Sequence, residues 1–381
     1  MKQNILFLIE SLAGGGAEKV LTTLLQHIDY SMYNITLCCI CNVGKHQNSL
    51  NPQVRYTYIL QDPSNLTTYR KFFYRIKYKL IYKWIPLKWI YKLYIHPHAD
   101  VEIAFVEGFA TKLLSHSNNT KAKKIAWIHI DLEQFHWTQP IYKNIKEEES
   151  TYQQFNQLIS VSETAKIGFQ RKFKNVSTPI KTLYNPIDSL DIINKSQITI
   201  PLPSKKNLIR LVSIGRFTKQ KAYGRLLNII NKLNKKKYPI ELWLLGDGEQ
   251  RNLLETYIQN NHLENVVTLW GFQDNPYTYL ALCDLFVCSS ISEGYSTAVT
   301  EALILGIPVI TTNCSGMDEL LKGGKCGIIT ENSEEALYKG LKQLLDNPSQ
   351  LQYYKEKAIE RGKDFSLEKL MEPIEKLLYE Q

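Results

Sequence analysis

Two carboxylates eight positions apart, Glu293 and Glu301, stand in the stretch 292–310, SEGYSTAVTEALILGIPVI. Glu293 precedes a helical run and Glu301 lies within it. Eight residues along a helix return to nearly the same face. The two are therefore expected to point into one cleft at different depths, the first near a reacting group and the second near vicinal hydroxyls. A carboxylate accepts two hydroxyl hydrogen bonds at once, which suits a ribose or hexose diol. Gly294 and Gly306 punctuate the run, and Ile307 with Pro308 opens a β-branched strand. The helix is expected to start near Ser296 and Thr297, where about four backbone N–H groups lack intrahelical partners and carry roughly half a positive charge. A ligand phosphate can sit there against Tyr295, Ser296 and Thr297. The plainer alternative makes Glu293 an N-terminal charge and Glu301 a solvated helix position.

A second constellation is cationic. Arg216 stands just past the strand-like LIRLVSIGRF, and Lys221 follows five residues later, before a helix. Paired cations on a strand-to-helix loop neutralise a leaving diphosphate, Arg as a planar fork and Lys as a mobile point charge. Two solvated surface lysine-type charges are the alternative. Gly246 and Gly248 permit close backbone approach after the strand ELWLLGDGE, with Asp247 a turn former, and Phe272 follows a strand end where a nucleobase is expected to lie. At the other end of the chain, NILFLIE runs into Gly14, Gly15 and Gly16 and then a helix. Strand, glycine loop and helix is a phosphate-facing layout, or else a tight turn. It does not match the dinucleotide fingerprint, because Lys19 stands where Gly or Ala is needed, and no G-K-[ST] follows. WIHID places His129 at a strand end, as a structural hydrogen-bonder or a contact to the reacting region; Asp131 orients it or caps the next turn.

EGYSTAVTEALILGIPVI resembles the E-x7-E segment of retaining glycosyltransferase family 4, enzymes of the GT-B fold, in both Glu, both Gly and the G-x-P-V-I ending. GGGAEKV and GRFTKQKAYGRLL resemble the family's glycine loop and R-x4-K segment. The resemblance covers nearly the whole chain and is weakest over residues 45–120. It implies that Glu301 holds the nucleotide ribose and Glu293 lies beside the donor sugar. Arg216, Lys221, Gly15, Gly16, Gly246, Gly294 and the helix start serve the donor phosphates, and His129 contacts the donor sugar or reacting region. Two departures stand out. Ala222 replaces the usual Gly after Lys221, tightening the loop by a methyl without removing a charge, and YNPID has Pro186 where N-G-I-D is common.

The elements that must position these residues alternate. Strand-like runs at 4–10, 34–41, 54–60, 100–106, 124–129 and 156–161, with helical segments between them, indicate a parallel sheet covered on both faces. The pattern restarts at Leu208, with further strands at 241–249, 266–272 and 283–290, CGIITE, and helices near 333–346, 349–362 and from Ser366. The fold expected is α/β: two Rossmann-like, doubly wound parallel-sheet domains facing a cleft, residues 1–187 on the acceptor side and 204–365 binding the nucleotide sugar. Polar residues 189–207, with Pro201 and Pro203, read as a linker. By resemblance, the last helix (366–381) crosses back to the first domain.

Residues 69–94 hold eight Lys or Arg and ten aromatics without one acid. Arg75, Lys77, Lys79, Trp84, Lys88 and Trp89 suit a monotopic surface dipping into an anionic headgroup region. A single-strand nucleic-acid platform and an amphipathic helix pair packed on its own sheet are the alternatives for this segment; no nucleic-acid partner is expected. The formal charge of +9 also asks for an anionic partner. Seven cysteines without zinc-like spacing fit a reducing compartment. The apolar run at 5–9 is too short for a signal peptide, and no stretch approaches the roughly 20 apolar residues of a membrane span. The expected location is cytoplasmic, peripheral on the inner face of the cell membrane.

The expected reaction is transfer of a hexosyl unit from a UDP- or GDP-sugar to a hydroxyl of a membrane-anchored glycan, with retention, in surface polysaccharide synthesis. The nucleotide sugar is a co-substrate and no cofactor or metal is expected, since no D-x-D pair occurs in the sequence. No general base stands out. In the family, front-face attack, with the leaving phosphate taking the acceptor proton, removes the need for one. Two other classes share these features. A catalytically inactive, membrane-docked nucleotide-sugar binder binds nucleotide without turnover, and a GT-B epimerase interconverts donors without an acceptor.

Overall fold

The computed structural model of the chain describes residues 2–44, 47, 49–64, 66–95, 99–199, 201 and 208–379. Two units emerge, Met1–Pro186 with Leu370–Gln381, and Ile187–Lys369. Each is built on one wholly parallel sheet. In the first, β1 (Gln3–Ile9), β2 (Tyr33–Cys41), β3 (Arg55–Leu60), β4 (Val101–Ala104), β5 (Lys123–Ile128), β6 (Gln157–Ser160) and β7 (Ile180–Thr182) lie in the order β3-β2-β1-β4-β5-β6-β7. In the second, β8 (Ile209–Ile214), β9 (Ile240–Leu245), β10 (Val267–Gly271), β11 (Leu285–Cys288), β12 (Val309–Thr312) and β13 (Ile328–Thr330) lie in the order β10-β9-β8-β11-β12-β13.

Helices cover both faces of each sheet, which is why the central strands read as unbroken apolar runs: five consecutive residues of β1 and all four of β4 and β11 are buried. The strand order reverses between β1 and β4 and again between β8 and β11. At such a switch point the two adjoining loops leave in opposite directions and open a crevice at the carboxyl ends of the strands.

Most expected strands are present, with ends shifted by a residue or two. β7 went unread because it is a three-residue edge strand. The stretch read as a linker from residue 189 instead begins with a helix, Ser189–Ser196, capped by Asp188, whose side chain accepts from the Asp191 N–H, and anchored by buried Ile192. Residues 202–207, including Pro203 and the expected start of the second domain at 204, lie outside the described residues. The C-terminal helix Leu367–Tyr379 buries Met371, Ile374, Leu377 and Leu378, and Lys123 of the first unit donates to the Leu377 carbonyl at 3.2 Å.

Residues 69–94 fold as helix Thr68–Lys79, a π-helical turn Leu80–Trp84 and helix Leu87–Tyr94. The first of these helices buries no residue. Trp84 is 75% exposed and Trp89 61%, with Arg75, Lys79 and Lys88 also exposed. Lys77 is exposed as well, while its ammonium donates to the Ile59 carbonyl at 3.1 Å and stands over the Tyr94 ring. No helix among the described residues is long and apolar enough to cross a membrane, and the seven cysteines are free thiols.

Candidate active site

The two constellations that the sequence separates by more than seventy residues meet at the switch point of the second sheet. β8 and β11 are hydrogen-bonded neighbours, so the loop after β8, carrying Arg216 and Lys221, lies beside the loop after β11, carrying Glu293. Lys221 Nζ is 2.6 Å from Glu293 Oε1, and the same oxygen accepts from Ser290 Oγ at 2.5 Å. Burial disfavours charge on Lys221, but the Glu293 carboxylate outweighs it and holds the ammonium above the ordinary lysine range. Glu293 is 6% exposed and Glu301 3%, so neither is the solvated charge of the plainer reading.

The two loops are stitched together by main-chain bonds that fix this pairing. Ile291 N–H donates to the Gln220 carbonyl at 2.7 Å, Gln220 Nε2 to the Ser292 carbonyl at 2.8 Å, and Ser289 Oγ to the Lys221 carbonyl at 2.9 Å. Arg225 braces the far side through the Ser289 carbonyl at 2.7 Å and Asn332 at 2.9 Å. Lys221 ends a short 3-10 turn, and Ala222 follows at φ 50°, ψ 42°. That left-handed conformation explains the resemblance's usual Gly: here a methyl occupies it at the cost of local strain. Arg216 is exposed just past β8.

From Glu293 the chain runs through Gly294 and Tyr295 into helix Thr297–Ile304. Ser296 caps it, its side chain accepting from the Val299 N–H at 3.4 Å. The helix stops in a Schellman turn. Gly306, at φ 69°, donates to Leu303 at 3.0 Å and Ile307 to Ala302 at 2.8 Å. Glu301 sits inside this helix. Gly246 serves a close approach within the protein: a Cβ there would stand 2.0 Å from the Gly215 carbonyl oxygen, so the loops after β8 and β9 cross without room for a side chain. Phe272 follows the end of β10, and the neighbouring Gly271 carbonyl accepts from Gly246 N–H at 2.8 Å.

In the first unit, Gly15 is the N-cap of helix Gly16–His27, with no side chain capping it. His129 follows β5, and its Nε2 is buried without a hydrogen-bond partner. Burial pushes its pKa down to about 3, against a bond to the Phe105 backbone, so the ring is neutral near pH 7. Asp131 caps the next turn, accepting from Glu133 N–H at 2.9 Å and Gln134 N–H at 3.2 Å.

Ser290, Gln220 and Arg225 were not singled out in the sequence. Ser290 had a signal in retrospect: a hydroxyl one turn before Glu293 at a strand end. Gln220 and Arg225 had none, because their partners, the Ser292 and Ser289 carbonyls and the Asn332 side chain, are distant in sequence. No group of three or more His, Cys, Asp or Glu able to hold a metal ion occurs among the described residues.

Residues 194–361 match the family model of glycosyl transferases group 1. The chain is 34% identical over 190 residues, 49% of its length, to the N-acetylgalactosamine-N,N'-diacetylbacillosaminyl-diphospho-undecaprenol 4-alpha-N-acetylgalactosaminyltransferase of Campylobacter jejuni, and spans about half (50%) of that relative. It is 29% identical over 323 residues to an uncharacterized glycosyltransferase of Methanocaldococcus jannaschii, covering 73% of this chain and 77% of the relative. The structure of Anabaena HepE in complex with UDP and glucose superposes with a TM-score of 0.74 at 17% identity, covering 99% of both chains. With two switch-point sheets of this order, the chain has the GT-B fold, and residues 194–361 of its second unit resemble the glycosyl transferases group 1.

Proposed function

We propose that the protein is a retaining hexosyltransferase that moves a hexosyl unit from a UDP- or GDP-sugar to a hydroxyl of a lipid-linked glycan in surface polysaccharide synthesis. The observation that carries this reading is the part-buried Lys221–Glu293 pair, whose Glu293 lies in the loop that runs directly into the Ser296-capped helix. An ammonium held charged beside a helix N-terminus supplies positive potential where a departing diphosphate gains negative charge, the largest demand of this chemistry. Arg216 adds a second cation on the same loop. Glu293 sits beside the donor sugar and Glu301 accepts from the ribose hydroxyls. The neutral Nε2 of His129 is an acceptor for a sugar hydroxyl.

The bond between the anomeric carbon and the diphosphate oxygen breaks, the acceptor oxygen bonds to that carbon on the same face, and its proton passes to the leaving diphosphate. The cations Lys221 and Arg216 make that departure favourable, and no metal ion is invoked. A lipid-linked acceptor is supported by two things: the activity for which the Campylobacter relative is named, whose acceptor is a diphospho-undecaprenol glycan, and the exposed basic aromatic helices of residues 69–94. Those helices dock on an anionic leaflet, on the inner face of the cell membrane, through Arg75, Lys79, Lys88, Trp84 and Trp89.

The test is an assay of purified protein against UDP-, GDP- and ADP-sugars, read by nucleotide release with a polyprenyl-diphosphate-linked acceptor, the product anomer assigned by NMR. Acceptor-dependent release with an unchanged anomeric configuration supports the reading. Nucleotide binding without turnover on any donor, or an inverted product, refutes it.

A further inference from the structure

Beside His129, the strand ends of the first unit carry a carboxylate–indole contact that the reaction proposed above does not use. β4 and β5 are adjacent, and Glu107 lies three residues past β4. It is 3% exposed, and both of its oxygens are engaged: Oε2 accepts the His129 backbone N–H at 2.9 Å, and Oε1 accepts the Trp137 indole N–H at 3.1 Å. A carboxylate removed from water needs such partners, so its bonds hold both groups firmly. Gly108 follows at φ 99°, and a Cβ there would stand 2.8 Å from Trp137 Cη2 and 3.0 Å from Ile141 Cδ1. The indole is therefore pinned at its nitrogen edge and backed by glycine backbone, yet Trp137 remains 37% exposed.

We infer that Trp137 is the platform on which a sugar ring of the acceptor stacks, a specificity-determining residue of the reaction proposed above, on which this inference rests. The weakly positive C–H face of a pyranose fits the negative face of an indole, and a ring already immobilised loses little freedom on binding. His129, held through its backbone by the same carboxylate, brings its unpartnered Nε2 to the same strand end for a sugar hydroxyl. The platform is also joined to the basic aromatic helices. Phe109, next to Gly108, stacks on Tyr82 at 4.1 Å, and Tyr82 on Tyr78 at 4.3 Å, a residue 40% exposed. The stacked rings of Tyr78, Tyr82 and Phe109 thus run from the surface proposed to meet lipid to the Gly108 backbone behind Trp137, and the occupant we assign is a glycan emerging from a membrane anchor.

Methyl glycosides of N-acetylglucosamine, N-acetylgalactosamine, glucose and galactose, titrated into full-length protein by ligand-observed NMR, test this, with UDP titrated in parallel as a control of folding. Wild type binds at least one glycoside. Trp137→Ala weakens that Kd by about tenfold or more, Trp137→Phe keeps it within about threefold, and both retain the wild-type UDP affinity. Wild-type glycoside affinity in Trp137→Ala, or no binding of any glycoside to wild type, overturns the platform. Failure of the transferase reading looks different: no nucleotide sugar is turned over, while the Trp137-dependent glycoside binding persists.

Discussion

Lys221 Nζ and Glu293 Oε1, 72 residues apart in the chain, lie 2.6 Å from each other. In the proposed reaction a donor diphosphate would compete with Glu293 for this ammonium. Lys221→Ala is expected to lower turnover well over tenfold, approaching the ~10²-fold that loss of one transition-state donor costs. It also leaves Glu293 Oε1 with Ser290 in place of two donors, so stability falls too. In Lys221→Met/Glu293→Gln, where no charge is left uncompensated, the thermal midpoint should recover while turnover does not. Wild-type rates in the single variant would remove the charge-neutralising role.

Ser290 positions Glu293 through a 2.5 Å bond to the oxygen that Lys221 also contacts. Ser290→Ala should reduce kcat by about tenfold, the scale of a hydrogen bond to a charged group, with UDP affinity unchanged. Ser290→Thr should restore much of the loss. An equal fall in kcat and nucleotide affinity would point to general disruption of the loop instead.

Glu301 is buried on the helix Thr297–Ile304 that Ser296 caps. Glu301→Ala should weaken nucleotide binding by about tenfold or more in calorimetry. An unchanged dissociation constant refutes the ribose contact.

Glu10 directly follows β1 and accepts a hydrogen bond from Tyr82. Burial raises its carboxyl from 4.5 to about 7, outweighing the Tyr82 bond. Between these values the folded chain binds more protons than the unfolded one, so stability falls as pH rises across the window, by up to about 1.4 kcal/mol per unit, and levels off above it. Denaturation midpoints from about pH 5 to 8 should show this slope in wild type and its loss in Glu10→Gln. A slope surviving in the variant assigns it elsewhere.

Neutralising Arg75, Lys79 and Lys88 should weaken binding to phosphatidylserine vesicles by up to about 100-fold, at about 1 kcal/mol per cation facing the leaflet. Lys77→Gln should have a smaller effect, because that ammonium is bonded to the Ile59 carbonyl. Equal binding by the triple variant and wild type favours an amphipathic helix pair without a lipid partner.

Local rules carried much of the architecture. Apolar runs such as NILFLIE and LIRLVSIGRF become central strands because a parallel sheet covered on both faces needs side chains without charge in both directions. Ser296 and Gly306 bound their helix because a hydroxyl caps its first amides and a left-handed residue closes its last carbonyls. Residue type and spacing were enough for Arg216, Lys221, Glu293 and Glu301 to be singled out. Only the tertiary structure decided which of them touch. Strand order put the loops after β8 and β11 side by side, and that brought Lys221 to Glu293, Ser290 beneath both and Gln220 onto the neighbouring backbone. The same holds for Glu107 and Trp137, which no spacing relates, since their meeting depends on β4 and β5 being neighbours and on a glycine backbone that leaves room for an indole. Sequence periodicity reports how each segment meets its own core, whereas contacts between loops follow from the order in which strands assemble.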